Sequence, residues 1–239
     1  MDKRENSLSY LLIPILISLI AGGVLGWITG VAFSENNSSR IATSVVPGIG
    51  GGPEQNQQVN FTSESSNFRV KLNSLFKEHG VLAVEYLTGI YDGKDVAAIK
   101  EKINANSNEI ATLFGNIYGE GSKNEFEQMW NGHIEQYEKY TKSLKANNSS
   151  DANEAENALR DQATHMGVML NKQDSNFSSQ RVTEMVSEHV RLTLDIVDAH
   201  VDEDYETKAD NIKASYDQAG VFADYIGQVI VNSHPDKAR

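Results

Sequence analysis

Three histidines, His79, His133 and His189, recur 54 and 56 residues apart, each inside the same apolar pattern. Around His79 the pattern is Leu72, Leu75, Phe76, Ala83, Tyr86, Leu87 and Ile90. Around His133 it is Phe126, Met129, Trp130, Tyr137, Tyr140, Thr141 and Leu144, and around His189 it is Val182, Met185, Val186, Thr193, Ile196, Val197 and His200. Steps of three and four residues keep these positions on one face of an α-helix. Each repeat therefore aims an imidazole into an apolar core, where a polar ring needs a partner. Three converging rings make a candidate binding site.

Methionine gives that site a chemical character. Met129 and Met185 stand four residues before His133 and His189, and Met169 stands four residues after His165. Each pair shares a helix face. Imidazole with thioether and no thiol is a ligand set for Cu(I), so a transition metal is the expected ligand, copper ahead of zinc or iron. Leu75 breaks the pattern in the first repeat. Glu109, His165 and Gln218, spaced 56 and 53 residues apart, supply one polar group on each partner helix. The expected metal-site residues are thus His79, Glu109, Met129, His133, His165, Met169, Met185 and His189. The competing reading of the same residues is a hydrogen-bonded polar network that fixes helix register, with methionine filling gaps.

Other chemistry is poorly supported. The chain of 239 residues has no cysteine, which excludes disulfides and thiol chemistry. Its net charge of −12 argues against nucleic-acid binding. There is no H-E-x-x-H motif, phosphate loop, nucleophile elbow or Ser/His/Asp constellation, so an enzyme is the less favoured class. The acidic run from Asp198 to Glu206, which includes His200, reads as a solvated helix end. His234 falls near a frayed C-terminus.

Six helices must position the histidines: A over 67–91, B over 95–118, C over 123–146, D over 151–172, E over 178–201 and F over 204–232. Asp92-Gly93 makes a turn, Gly119-Glu120-Gly121 stops B, and Ser122 to Glu125 forms a capping box for C. The E–F junction has neither Gly nor Pro. The fold class is all-α: a bundle of about six helices built from three hairpins, spanning 67–234. Sequential hairpins can close a six-helix bundle or form four helices with two packed outside.

Before the bundle, residues 1–9 form a short N-terminus expected in the cytoplasm. Tyr10 to Phe33 is a 24-residue stretch without a charge. As a helix it reaches about 36 Å, enough to cross a bilayer. Lys3 and Arg4 before it place the remainder outside the cytoplasm. The alternative, a cleaved signal peptide, gives the same compartment. Gly22, Gly26 and Gly30 share one face of this span, a spacing that suits close packing with a second copy or another membrane helix. Residues 34–66 are a Ser/Asn/Gly/Gln-rich linker. N-x-S/T sites at Asn36, Asn37, Asn60, Asn147, Asn148 and Asn176 suggest a glycosylated surface protein.

The segments LFKEHGVLAVEYL (75–87), NSNEIATLFGNIYGE (106–120), GHI (132–134), MVSEHVRLTLDIVDAH (185–200) and VFADYIGQVI (221–230) resemble a poorly characterised family of bacterial and archaeal exported helical-bundle proteins. That family repeats a Glu-His pair in its first helix, a carboxylate before an Ile-small pair in its second, and a His in its third and fifth. His79, Glu109, His133 and His189 match these positions. His165 stands where the family has a carboxylate and Gln218 where it has His. The resemblance implies a helical bundle with an inward polar cluster; it implies no activity.

Three functions are compatible with this reading. The first is a membrane-anchored metal-binding module for storage, delivery or sensing. The second is an accessory subunit of a membrane complex, recruited through the glycine face. The third is a small-ligand sensor.

Overall fold

The computed structural model describes residues 63–238. All its regular structure is helical: α1 Ser63–Asp92, α2 Ala97–Tyr118, α3 Glu120–Lys145, α4 Ser149–Gln173, α5 Ser179–Val201 and α6 Tyr205–Ser233. The expected span at 10–33, its glycines 22, 26 and 30, and most of the linker lie outside the described residues. Within them, no helix is long and apolar enough to cross a membrane. The linker ends earlier than expected, because α1 begins at Ser63 and already buries Ser65 and Phe68.

Successive helices pack side by side and α6 closes on α1. The odd-numbered helices also touch one another, so α1, α3 and α5 form an inner triangle. Each even-numbered helix packs on the odd-numbered helices either side of it in this closed six-helix ring. The arrangement follows from amphipathicity, since each hairpin has one apolar stripe and must bury it against the others.

Helix ends repeat as faithfully as the histidines. Gly93, Asn147 and Glu203 all take left-handed backbone, with φ of 74°, 53° and 57°. Each lies fourteen residues after its repeat's histidine. At all three turns the next residue's N–H reaches back across the helix end: Lys94 to the Gly89 carbonyl, Asn148 to Ser143 and Asp204 to Ala199, each at 2.9 Å. This is the Schellman arrangement. The α5–α6 junction therefore does without glycine, at a local strain borne by Glu203.

Helix starts use side-chain caps. Asn148, Ser178 and Asp204 accept hydrogen bonds from the N–H groups of Asp151, Arg181 and Thr207. The expected box at Ser122 does not open α3. Gly119, at φ 95°, starts that helix three residues earlier, and the Ser122 hydroxyl instead donates to Gln173 Oε1 at 2.5 Å. Of the N-x-S/T sites among the described residues, Asn148 serves as this α4 cap, and the Asn176 amide donates to Asp174 and Ser233.

Two residues expected at loose ends are anchored. His234 caps α6 and lies 3.4 Å from the buried Asp174 carboxylate, which Tyr118 also reaches. His200 bridges Asp92 on α1, at 2.8 Å, and Lys208 on α6, at 3.0 Å. It ties three helices together rather than facing solvent.

Replacing Glu203 by Gly should raise stability by about 0.5–1 kcal/mol in urea unfolding, because Gly adopts the left-handed turn without strain. Asn147→Gly should gain less, since Asn tolerates that conformation. A destabilised Glu203→Gly protein contradicts this account of the turn. Gly167→Ala should cost about 1–3 kcal/mol, because a Cβ there meets the Ser179 carbonyl and the Thr183 hydroxyl of α5.

Candidate metal-binding site at the centre of the bundle

The apolar core consists of two clusters. One contains Phe76, Phe114, Phe126, Trp130, Leu170 and Phe222, the other Tyr86, Ile103, Tyr137, Leu159 and Val197. The three histidines fall between these two groups along their own helices. On α1, for instance, His79 lies between Phe76 of one cluster and Leu82 of the other. A polar layer thus interrupts the core.

All three rings line one cavity of about 40 Å³, together with Met129, Met166, Gln162 and Gln218. That space suits a single ion with a water, not an organic ligand. His79 is 2 % exposed. Its Nε2 lies 3.3 Å from Nε2 of His133, and its Nδ1 lies 3.2 Å from Oδ1 of Asn106. His133 also packs edge-on against the Trp130 ring, with centroids 4.8 Å apart. His189 meets Tyr137 edge-on, with ring centroids 6.4 Å apart.

The amide partners also obey the repeat. Asn106, Gln162 and Gln218 are 56 residues apart at both steps and sit one turn before or at the expected positions. Asn106 Nδ2 donates to the carbonyl of Leu75, and Gln218 Nε2 to that of Met185. Each acceptor lies four residues before its repeat's histidine. Gln162 packs against Gly132, where a Cβ would come within 3.2 Å of its Nε2. One buried atom at this layer, Gln162 Oε1, lacks a partner. Gln162 and Tyr137 both line the cavity.

Several expected ligands stand elsewhere. Glu109 is more than half exposed and faces Lys71 at 3.9 Å. His165 is exposed, beside a surface depression that Met169 also lines. Three residues along a helix is a rotation of about 300°, so Glu109 and His165 lie about 60° round from Asn106 and Gln162, enough to turn them outward. Met185 is partly buried against the first cluster and does not line the cavity. Met166 does, although its four-residue partner Gln162 carries no imidazole and gave no signal. The constant spacing of 56 is what marks the amides in the sequence.

Electrostatically the layer is neutral. Burial takes His79 down to about 3, aided by His189 and opposed by the Asn106 hydrogen bond. Burial takes His189 to about 4. His133 is also lowered, first by burial and then by His79 and His189, against the Trp130 carbonyl. Neutral imidazoles offer lone pairs. Among the described residues no group of three or more His, Asp or Glu side chains stands in ligand geometry. The His79–His133 pair is the assembled part.

No protein-family model, curated protein or solved structure matches this chain.

The lowered histidines fix the sign of an acid response. The unfolded chain takes up their protons near pH 6.5, whereas the folded chain resists until about pH 3–4. Stability should be level above pH 6.5 and fall as pH drops towards 4.5, by about 2 kcal/mol for each of His79 and His189, with His133 acting in the same direction. Carboxylates contribute little in this window. Burial alone would raise Glu138, but Lys142, Tyr86 and Lys100 bring it to about 2. Asp198, raised by burial, acts in the opposite sense at the low end. Urea midpoints at pH 7 and 5 check this; a flat profile, or one unchanged in His189→Gln, contradicts a neutral buried layer.

Proposed function

We propose that this chain is a membrane-anchored, extracytoplasmic helical-bundle protein that holds one Cu(I) ion between His79 and His133. The single observation that carries the reading is the 3.3 Å between their Nε2 atoms. Two nitrogens bound at about 2.0–2.1 Å in a tetrahedral shell stand about 3.3–3.4 Å apart. Asn106 Oδ1, 3.2 Å from His79 Nδ1, can orient that ring so that its other nitrogen faces His133. That is the outer-shell arrangement seen around metal-ligating imidazoles. His189, Met129 and Met166 line the same cavity and supply further donors.

The donor set selects the metal. Zn²⁺ also takes imidazole but not thioether, so the two methionines in the cavity lining would serve it poorly. Cu(I) accepts imidazole and thioether. It also carries a single charge. Ion desolvation scales with the square of charge, so a monovalent ion enters this uncharged layer far more cheaply than a divalent one. The anchor at 10–33 and the linker would hold such a site outside the cytoplasm, suited to storage, delivery or sensing.

A second reading rests on the same network. His79, His133, Asn106 and the Leu75 carbonyl already form a hydrogen-bonded chain between α1, α2 and α3. Without a metal it would serve register alone, in an accessory subunit of a membrane complex.

Titration of the purified full-length chain with Cu(I) against a competing chelator decides between them. One ion per chain is expected. Binding should be lost in His79→Ala and His133→Ala and weakened about tenfold in Met129→Leu/Met166→Leu. Glu109→Gln, His165→Ala and Met169→Leu should bind like the wild type. A well-folded wild type that binds no Cu(I) leaves the register reading.

A further inference from the structure

Two groups claim one atom of His79. Nδ1 lies 3.2 Å from Asn106 Oδ1 and 3.3 Å from Trp130 Nε1. The Asn106 amide has a fixed orientation, because its Nδ2 donates to the Leu75 carbonyl at 3.0 Å and to Glu78 Oε2 at 3.1 Å. Its Oδ1 can therefore only accept. An indole N–H can only donate. A neutral imidazole nitrogen satisfies Asn106 when it carries the proton and Trp130 when it does not, and never both.

The other ring nitrogen is linked to this choice. Nε2 lies 3.3 Å from Nε2 of His133, a contact in which one ring must donate and the other accept. Without an ion, two lone pairs would repel across 3.3 Å, and the Trp130 N–H aimed at Nδ1 favours the tautomer in which His79 carries its proton on Nε2 and donates it to His133. Nδ1 then accepts from Trp130, and Asn106 Oδ1 goes without. Ligation requires both Nε2 lone pairs. The proton of His79 must then sit on Nδ1, which satisfies Asn106 and leaves the Trp130 N–H without its acceptor.

We infer that Trp130 and Asn106 set the metal affinity of this site by competing for the tautomer of His79, Trp130 favouring the empty form and Asn106 the loaded one. The inference rests on the Cu(I) reading above. Both are positioning residues: neither touches the ion, and each acts through one nitrogen. The competition also explains why the His79 network holds an acceptor and a donor that cannot be satisfied together. Buried polar groups are normally all paired, and a ring serving two incompatible neighbours is poised between two states.

The test uses the full-length chain with ¹⁵N-labelled histidine. In metal-free wild type, long-range ¹H–¹⁵N spectra should show His79 protonated on Nε2. Trp130→Phe keeps an aromatic ring and removes the donor; it should move His79 towards the Nδ1–H form and tighten Cu(I) binding about tenfold. Asn106→Leu removes the acceptor and should weaken binding ten- to hundredfold, the range for lost outer-shell partners. Effects of opposite sign from two neighbours of one ring are not expected of merely structural residues. An Nδ1–H tautomer in the metal-free wild type overturns the inference, whatever the variants do. Binding that changes in the same direction in both variants, or in neither, overturns it and leaves the Cu(I) site standing. Wild type that binds no Cu(I) removes the site itself, and the inference with it.

Discussion

One imidazole, His79, is withdrawn from water in the middle of the bundle with His133 and His189 partly buried beside it, and the other features of the core accommodate them. Desolvation lowers the pKa of all three and favours the neutral form. A neutral buried ring still needs hydrogen bonds, and an apolar core supplies none. The chain answers with one amide per hairpin, Asn106, Gln162 and Gln218, on the even-numbered helices. Two of these amides hold backbone carbonyls of the neighbouring odd-numbered helix. The polar layer consequently fixes how far each helix slides along the next. A shift of one turn would leave rings and amides facing hydrocarbon.

The bundle carries this layer by repetition. Each hairpin places its histidine fourteen residues before a left-handed turn residue, whether that residue is Gly93, Asn147 or Glu203. The turn geometry is common to all three although its chemistry is not, so the distance from turn to ring sets the level of the site. Departures from threefold regularity are concentrated around His79. Only the first repeat has Asn rather than Gln, and only there does the amide oxygen reach the imidazole. The second repeat alone places Trp beside its histidine; the Trp130 ring packs on both His133 and His79, but its N–H is aimed at His79. A symmetric ancestor-like arrangement would give three equal rings; the observed one gives a close pair and a third facing the same cavity.

Much of this was legible in the sequence. Periodicity over 15–25 residues fixed six helices, their order and the inward face of His79, His133 and His189, because one-turn offsets are a local property of the chain. The turns at Gly93 and after Lys145 were equally local. The start of α3 was not, because Gly119 and Ser122 both offer a boundary and the packing of Ser122 on Gln173 selects between them. Nor was the α5–α6 turn, where hydrogen bonds to Ala199 and His200 impose a conformation that Glu203 would not choose alone.

The candidate site divides along the same line. The sequence by itself determined that three histidines share a repeated apolar stripe, that methionine accompanies them and that no thiol is available. It did not decide between Glu109 and Asn106, or between Met169 and Met166, since residues three apart lie only about 60° from one another around a helix. That difference is settled by how far each even-numbered helix rolls against its two neighbours, a property of the closed ring and of no single helix. Tertiary structure alone brought His79 within 3.3 Å of His133 and set Trp130 against Asn106 over one nitrogen. Both depend on side chains from α1, α2 and α3 meeting at one level, and a helical pattern records which face a residue occupies but not what faces it.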